Sequence, residues 1–286
     1  MHFSIESLEY DRFKAMLSRY VRSQRARKIL DELMPSSDRP SLESRHELVT
    51  EAMEYLRDRA VRFPEIPALE SVLDRLGPGG ITFEIPEVEA VQEFVSDVVG
   101  FSGGWGDEEA GFPRLTRRVL ELPDLSARAN LLARAIRAGE IREEYSPELR
   151  RLRKELESSR GRLNQRLRSI VKTFERSGQL QEALVTVRNG RFVLPVRSEH
   201  QRAVQGIVHG SSSSGATVFM EPIETLEMNN DLVRIGEEEE REIRRILGEL
   251  TDRIQDYKEE LIRAAEVRAE LELVFGIATW GRDFDC

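Results

Sequence analysis

Apolar residues recur at helical spacing along most of the chain and change to strict alternation in one short stretch, so helices with a small β-module are predicted. Ser146 followed by Pro147 is a helix start with proline at the first helical position. From there Leu149, Leu152, Leu156, Leu163, Leu167, Ile170 and Phe174 form a 3-4 spaced stripe that runs to Gly178. About 30 residues of such a helix span roughly 45 Å. Beyond Gly178 the period becomes two, with Leu184, Thr186 and Arg188, then Asn189-Gly190, then Phe192, Leu194 and Val196. Asn-Gly between alternating runs signals a two-residue hairpin turn. A second strand pair is predicted over residues 204–208 and 216–220, joined by the loop 209–215.

After Glu221 and Pro222 a longer helical stretch reaches Phe275. Ile243, Leu247, Leu250, Ile254, Tyr257, Leu261, Ala264, Leu271 and Phe275 follow a coiled-coil-type spacing that Arg268 interrupts. Gly236 and Gly248 are candidate bends, since glycine disfavours helix by about 1 kcal/mol. The simplest arrangement packs the two long helices antiparallel, with the β-module at their end. The first 145 residues read as shorter helices: a segment from Leu8 to Leu33, one capped by Thr50, one from Ala68 to Leu76, one opened by Pro86 and Glu87, and one from Asp124 to Ala138. A glycine-rich loop covers residues 100–111.

A length of 286 residues suggests about two domains. With 33% charged residues and a mean hydropathy of −0.45, and no apolar run near the roughly 18 residues a spanning helix needs, a membrane protein is excluded. The N-terminus lacks the basic flank and apolar stretch of a secretory signal, so a cytoplasmic protein is expected. Cys286 is the sole cysteine, which rules out an internal disulfide or a thiolate pair for zinc. His2, His46, His200 and His209 have no metal-ligand spacing.

The net charge of −9 argues against nucleic acid until its distribution is considered. Residues 1–144 carry −7 and residues 223–286 carry −9, whereas residues 145–222 carry +7. Only five of the 43 cations are lysine, and arginine is the side chain whose fork matches phosphate oxygens. A GC-rich genome accounts for that bias equally well.

The run Val185 to Arg197, then Gly206-Ile207-Val208-His209, then Ser212 to Pro222, then Glu227-Met228-Asn229-Asn230 resembles the bacterial MutS paralogues of the second type. Weaker matches extend the resemblance to nearly the whole chain. It implies a helical core over residues 1–145, lever helices over 146–182 and 223–286, and a β-rich clamp over 183–222. In that family an ABC-type ATPase domain follows, usually with a C-terminal nuclease domain. This sequence has no Gly-Lys dipeptide and so no phosphate loop. The expectation is an N-terminal fragment without catalysis or cofactor, with ATP and Mg reserved for the absent ATPase domain. The resemblance implies double-stranded or branched DNA, or ribosomal RNA, as partner, a homodimer in the full-length protein, and a role in suppressing recombination or rescuing stalled ribosomes. Glu143-Glu144-Tyr145 departs from the family's pattern at one turn.

Candidate nucleic-acid contacts are Arg188, Arg191, Arg197 and Arg202 on the β-module, with Lys172 and Arg176 on the helix entering it. Arg160, Arg162, Arg166 and Arg168 lie on the same helix. Such cations neutralise phosphates without reading bases. Ser212, Ser213 and Ser214 offer hydroxyls to phosphate oxygens. Two plainer readings stand beside these: a solvated helix face paired to Glu155, Glu157 and Glu175, and a serine-glycine strand connection. The run Glu237 to Glu240 reads as a solvated surface. The rival function is a coiled-coil dimerisation module, with residues 243–275 as its seam and the β-tip contacting protein.

Overall fold

A computed structural model of the protein describes residues 9–77, 80–105 and 111–284. The architecture is mainly helical with small antiparallel sheets. The chain divides into two compact units, one formed by residues up to Arg142 together with those from Leu247 onward, the other by Glu143–Ile246.

The first unit contains α1 (Tyr10–Leu17), α2 (Gln24–Glu32), α3 (Arg39–Tyr55), α4 (Leu69–Arg75), α5 (Ile85–Gly103), α6 (Pro113–Val119) and α7 (Ser126–Ala135). A short hairpin follows, β1 (Ile136–Arg137) with β2 (Glu140–Ile141). The unit closes with the end of α9 (Leu226–Asp256) and all of α10 (Lys258–Asp283). α10 buries most of its length: Leu261, Ala264, Val267, Leu271, Phe275 and Ala278 are all buried, while Glu259, Arg263 and Glu266 in its first turns stay exposed, as befits a core helix with one solvated edge. One face meets Ala52, Tyr55, Leu115 and Val119, and another meets Leu17, Val21, Ala26 and Leu30. Tyr55 stacks on Trp105 with ring centres 4.9 Å apart, and Phe63 lies 5.9 Å from Phe275. Of the seam proposed over residues 243–275, the apolar positions from Leu247 to Phe275 are buried within this unit, whereas Ile243 is half-buried and belongs to the second unit.

The second unit is built on α8 (Pro147–Arg176). The Ser146 hydroxyl accepts the Leu149 N–H at 3.1 Å, which is the expected N-cap, and donates to Glu242 at 2.6 Å. The predicted stripe faces inward, with Leu149, Leu152, Leu163, Leu167 and Ile170 buried. Arg153 bonds Glu239 at 2.9 Å and Arg166 pairs with Glu224. Together with Ser146 and Glu242, these contacts step in opposite directions along α8 and the chain from 224 to 242, an antiparallel pairing within the unit. The four-stranded antiparallel sheet has the order β3 (Thr186–Arg188), β4 (Arg191–Arg197), β6 (Thr217–Pro222), β5 (Gly206–Ser211). Asn189 and Gly190 both take positive φ, 50° and 75°, closing the β3–β4 hairpin as a two-residue turn. Leu194, Val196, Val218 and Met220 pack on Leu163, Leu167, Ile170 and Val171 of α8.

Several boundaries differ from those read in sequence, each for a local reason. Residues 10–32 form two helices with a 3-10 turn between, because Ser23 caps α2 through the Ala26 N–H at 3.2 Å. Thr50 is no cap: it lies inside α3 and donates to the His46 carbonyl at 2.9 Å. α7 stops at Ala135, since Ala138 and Gly139 adopt φ 53° and 77° and turn the chain into the β1–β2 hairpin. The long second helix breaks at Tyr257, while Gly236 and Gly248 sit inside α9. α5 continues to Gly103, into the stretch expected as loop, and α6 occupies residues for which no element was predicted. The central part of that glycine loop, 106–110, lies outside the described residues, as do Leu8, His2 and Cys286. Among the described residues no helix is long and apolar enough to cross a membrane.

Candidate nucleic-acid interface

All nine predicted contact residues lie in the second unit. The structure sorts them by what already holds them. Arg188, at the end of β3, is exposed and sits over the Phe219 ring, 4.1 Å from its centre. This cation–π contact orients the guanidinium without discharging it. Arg202, Lys172 and Arg176 are exposed and make no ion pair among the described residues. Arg160 lies over the Phe192 ring at 5.6 Å.

Arg197 is half committed: its Nε donates to the Leu180 carbonyl at 3.3 Å, and Nη1 lies 3.9 Å from Glu199. Arg191 is turned to the interior. Its Nη1 donates to Glu221 Oε1 at 2.7 Å and Nη2 donates to Asn230 Oδ1. Glu221 is fully buried, and its other oxygen meets His209 Nε2 at 2.6 Å. One buried carboxylate therefore ties β4, β5 and β6 together, and α9 joins through Asn230. Asn229 completes the frame by hydrogen-bonding both the N–H and the carbonyl of Phe192, at 3.0 and 3.1 Å.

The loop after β5 is shaped by backbone needs. Gly210 takes φ 138° where the β5–β6 register shifts between Val208 and Ser211, as a bulge requires. Gly206 runs so close to β6 that a Cβ there would lie 2.1 Å from the Glu221 carbonyl oxygen. Ser212 closes the turn: its N–H donates to the Thr217 carbonyl at 2.8 Å and its hydroxyl accepts the Thr217 N–H at 3.1 Å. Ser213 and Ser214 remain exposed.

The acidic run on α9 is organised by pairing: Glu238 holds Arg234 at 2.9 Å and Glu239 holds Arg153. On α8, Arg151 bridges Glu148 and Glu155 at 2.8 and 2.7 Å, which holds the Glu148 carboxyl below the usual carboxylate range. Glu242 is lowered too, first by its hydrogen bond with Arg245 and then by Ser146. Among the described residues no group of histidine, cysteine and carboxylate side chains is arranged to hold a metal ion.

Sequence reasoning missed the Arg191–Glu221–His209 network. Its one signal was a glutamate at the end of an otherwise apolar alternating strand.

The unit thus presents a sheet with exposed cations on its rim and a serine turn, in the one segment of the chain with positive charge. Comparison with known proteins supplies the context. Nearly the whole chain aligns with Endonuclease MutS2 proteins. It is 33% identical over 279 residues to Endonuclease MutS2 of Geobacillus thermodenitrificans, covering 96% of this chain and 36% of that protein. With Endonuclease MutS2 of Thermomicrobium roseum it shares 35% over 294 residues, 97% of this chain and 35% of the relative. With that of Bacillus velezensis it shares 30% over 286 residues. The chain spans about a third of the length of these MutS2 relatives. No family model matches it.

Proposed function

We propose that this chain is the core, lever and clamp portion of a MutS2-type protein, and that its second unit grips the sugar-phosphate backbone of double-stranded or branched DNA. The observation that carries this reading is the set of exposed cations without carboxylate partners, Arg188, Arg202, Lys172 and Arg176, inside the +7 segment of an otherwise acidic chain. Guanidinium and ammonium groups so placed bind phosphate oxygens and leave base edges unread. Binding is independent of sequence and strongly salt-dependent. Ser213 and Ser214 add neutral donors beside them. Arg191 and Arg197 act by holding the sheet that presents the others. ATP, Mg and any strand cleavage belong to the remaining two-thirds of a MutS2-type protein, which in this reading dimerises so that two clamps close on one nucleic acid. Recombination suppression is the role that a DNA grip serves; ribosomal RNA as target would place the same contacts in ribosome rescue.

The test is fluorescence anisotropy with duplex, branched DNA and structured RNA across a salt series. The unaltered chain is compared with Arg188→Ala/Arg202→Ala and with Lys172→Ala/Arg176→Ala. Affinity should fall steeply with salt, and each lost phosphate contact should reduce the logarithmic slope by about one unit. Binding with the same slope in all three proteins, or none at low salt, overturns the proposal. Preference for RNA over branched DNA selects the ribosomal target.

A further inference from the structure

The first unit contains a cleft that the clamp reading does not use. It has a volume of about 410 Å³, and its rim carries Arg19, Arg22 and Arg62, with Phe63 at one wall and α10 as floor. Arg19 and Arg22 come from the turn joining α1 to α2, and Arg62 from the segment after α3. All three side chains are exposed and none forms an ion pair among the described residues.

The floor cannot neutralise them. Glu272 is the one carboxylate lining the cleft, and it is already spent: Oε1 accepts the N–H groups of Arg22 and Ser23 at 2.6 and 2.9 Å, and Oε2 faces Arg268 at 3.5 Å. The Thr279 hydroxyl donates to the Phe275 carbonyl at 2.7 Å, and the Tyr20 hydroxyl donates to Asp283 at 3.1 Å. The chain has 52 acidic side chains against 43 basic ones, and its arginines are widely ion-paired, as Arg25, Arg118, Arg151 and Arg234 show. What sets Arg19, Arg22 and Arg62 apart is that three guanidinium forks without a carboxylate partner among the described residues line one small cavity.

We infer that this cleft binds a compact phosphorylated anion, the phosphate groups of a nucleotide or the terminal phosphate of a nucleic-acid strand. Arginine forks match phosphate oxygens bidentately. A cavity of this volume admits a small molecule or a chain end and excludes a duplex. The site is separate from the proposed clamp, so either can fail alone.

Isothermal titration of the whole chain with inorganic pyrophosphate tests it, with ADP and a short oligonucleotide bearing either a 5′-phosphate or a 5′-hydroxyl as further arms. Pyrophosphate should bind one-to-one. Affinity should fall about tenfold or more in Arg19→Gln/Arg62→Gln, and stay unchanged in Arg188→Ala/Arg202→Ala. ADP binding tighter than the phosphorylated oligonucleotide identifies a nucleotide site, and the reverse order a strand-end site. Because the substituted side chains are exposed and unpaired, the melting temperature should hold. Should it fall, Arg19→Lys/Arg62→Lys keeps the charge without the fork, and must still weaken pyrophosphate. Three results overturn the inference: no binding at millimolar pyrophosphate, loss that follows the Arg188 and Arg202 changes instead, or citrate binding more tightly than pyrophosphate.

Discussion

In the first unit the buried charges form a pair: Arg268 is 5% exposed and Glu272 2%, and Arg268 is held by Asp97 at 2.6 Å, Glu272 at 3.5 Å and the Pro64 carbonyl at 2.8 Å. In the second, among the described residues, a carboxylate is buried without a buried cation: Glu221 is inaccessible and is held by the partly exposed Arg191 and His209 at 2.7 and 2.6 Å. Both satisfy the rule that a buried charge needs partners on all sides. They differ in what surrounds them. Arg268 lies in a unit where apolar clusters meet on more than one face of α10, whereas Glu221 belongs to a sheet resting on the cluster along α8. A smaller core leaves less surplus stability, so the same loss takes a larger share of it. The pairing also decides which cations face solvent. Arg191 is basic by sequence and structural by placement, while Arg19 and Arg62, in an acidic stretch, remain unpaired.

Removing one partner from each network is the sharpest way to break this comparison. Arg191→Met and Arg268→Met should each cost about 3–5 kcal/mol, because each takes the guanidinium partner from a buried carboxylate. Hydrogen exchange should localise the first loss to residues 143–246 and the second to the helices around α10. Equal, chain-wide loss of protection in both variants would show that the two units unfold as one. Gly206→Ala is next. The new methyl would meet the Glu221 carbonyl, and the overlap should cost about 1–3 kcal/mol, read as a lower denaturation midpoint with α10 still protected.

Ser146→Ala should cost about 1 kcal/mol through the lost N-cap and its link to Glu242, again confined to the second unit. The smallest effect is with acid. Glu148 and Glu242 both have lowered folded-state pKa values, so their contribution is present above the usual carboxylate range of about 4.3. It is lost as pH falls through the folded values. A stability curve from pH 6 to pH 3 should therefore decline less steeply in Glu242→Gln. Protection of α10 should be indifferent to that change, which would sharpen the contrast between the units.

Much of the second unit was legible because local chemistry decided it. The Ser146-Pro147 cap, the 3-4 stripe of α8 and the Asn189-Gly190 turn act within a few residues, and each stands where the pattern put it. The heptad-like spacing from Ile243 to Phe275 was legible as helix, and its partner was not. Periodicity reports that a face is buried without saying by what, and here the covering helices come from residues some 200 positions earlier. Arg268 reads as an interruption of that seam; in the fold it is the buried cation on which Asp97, Glu272 and Pro64 converge.

The sequence by itself determined the helical texture, the hairpin, the segregation of positive charge into residues 145–222 and the resemblance to MutS2, since all are properties of composition and near neighbours. Only the tertiary structure decided which cations remain available to a ligand. Ion pairs and hydrogen bonds form between residues distant in sequence, as Arg191 with Glu221 and Asn230 and Arg153 with Glu239 show. Whether a guanidinium meets phosphate or a carboxylate of its own chain depends on where folding places that carboxylate.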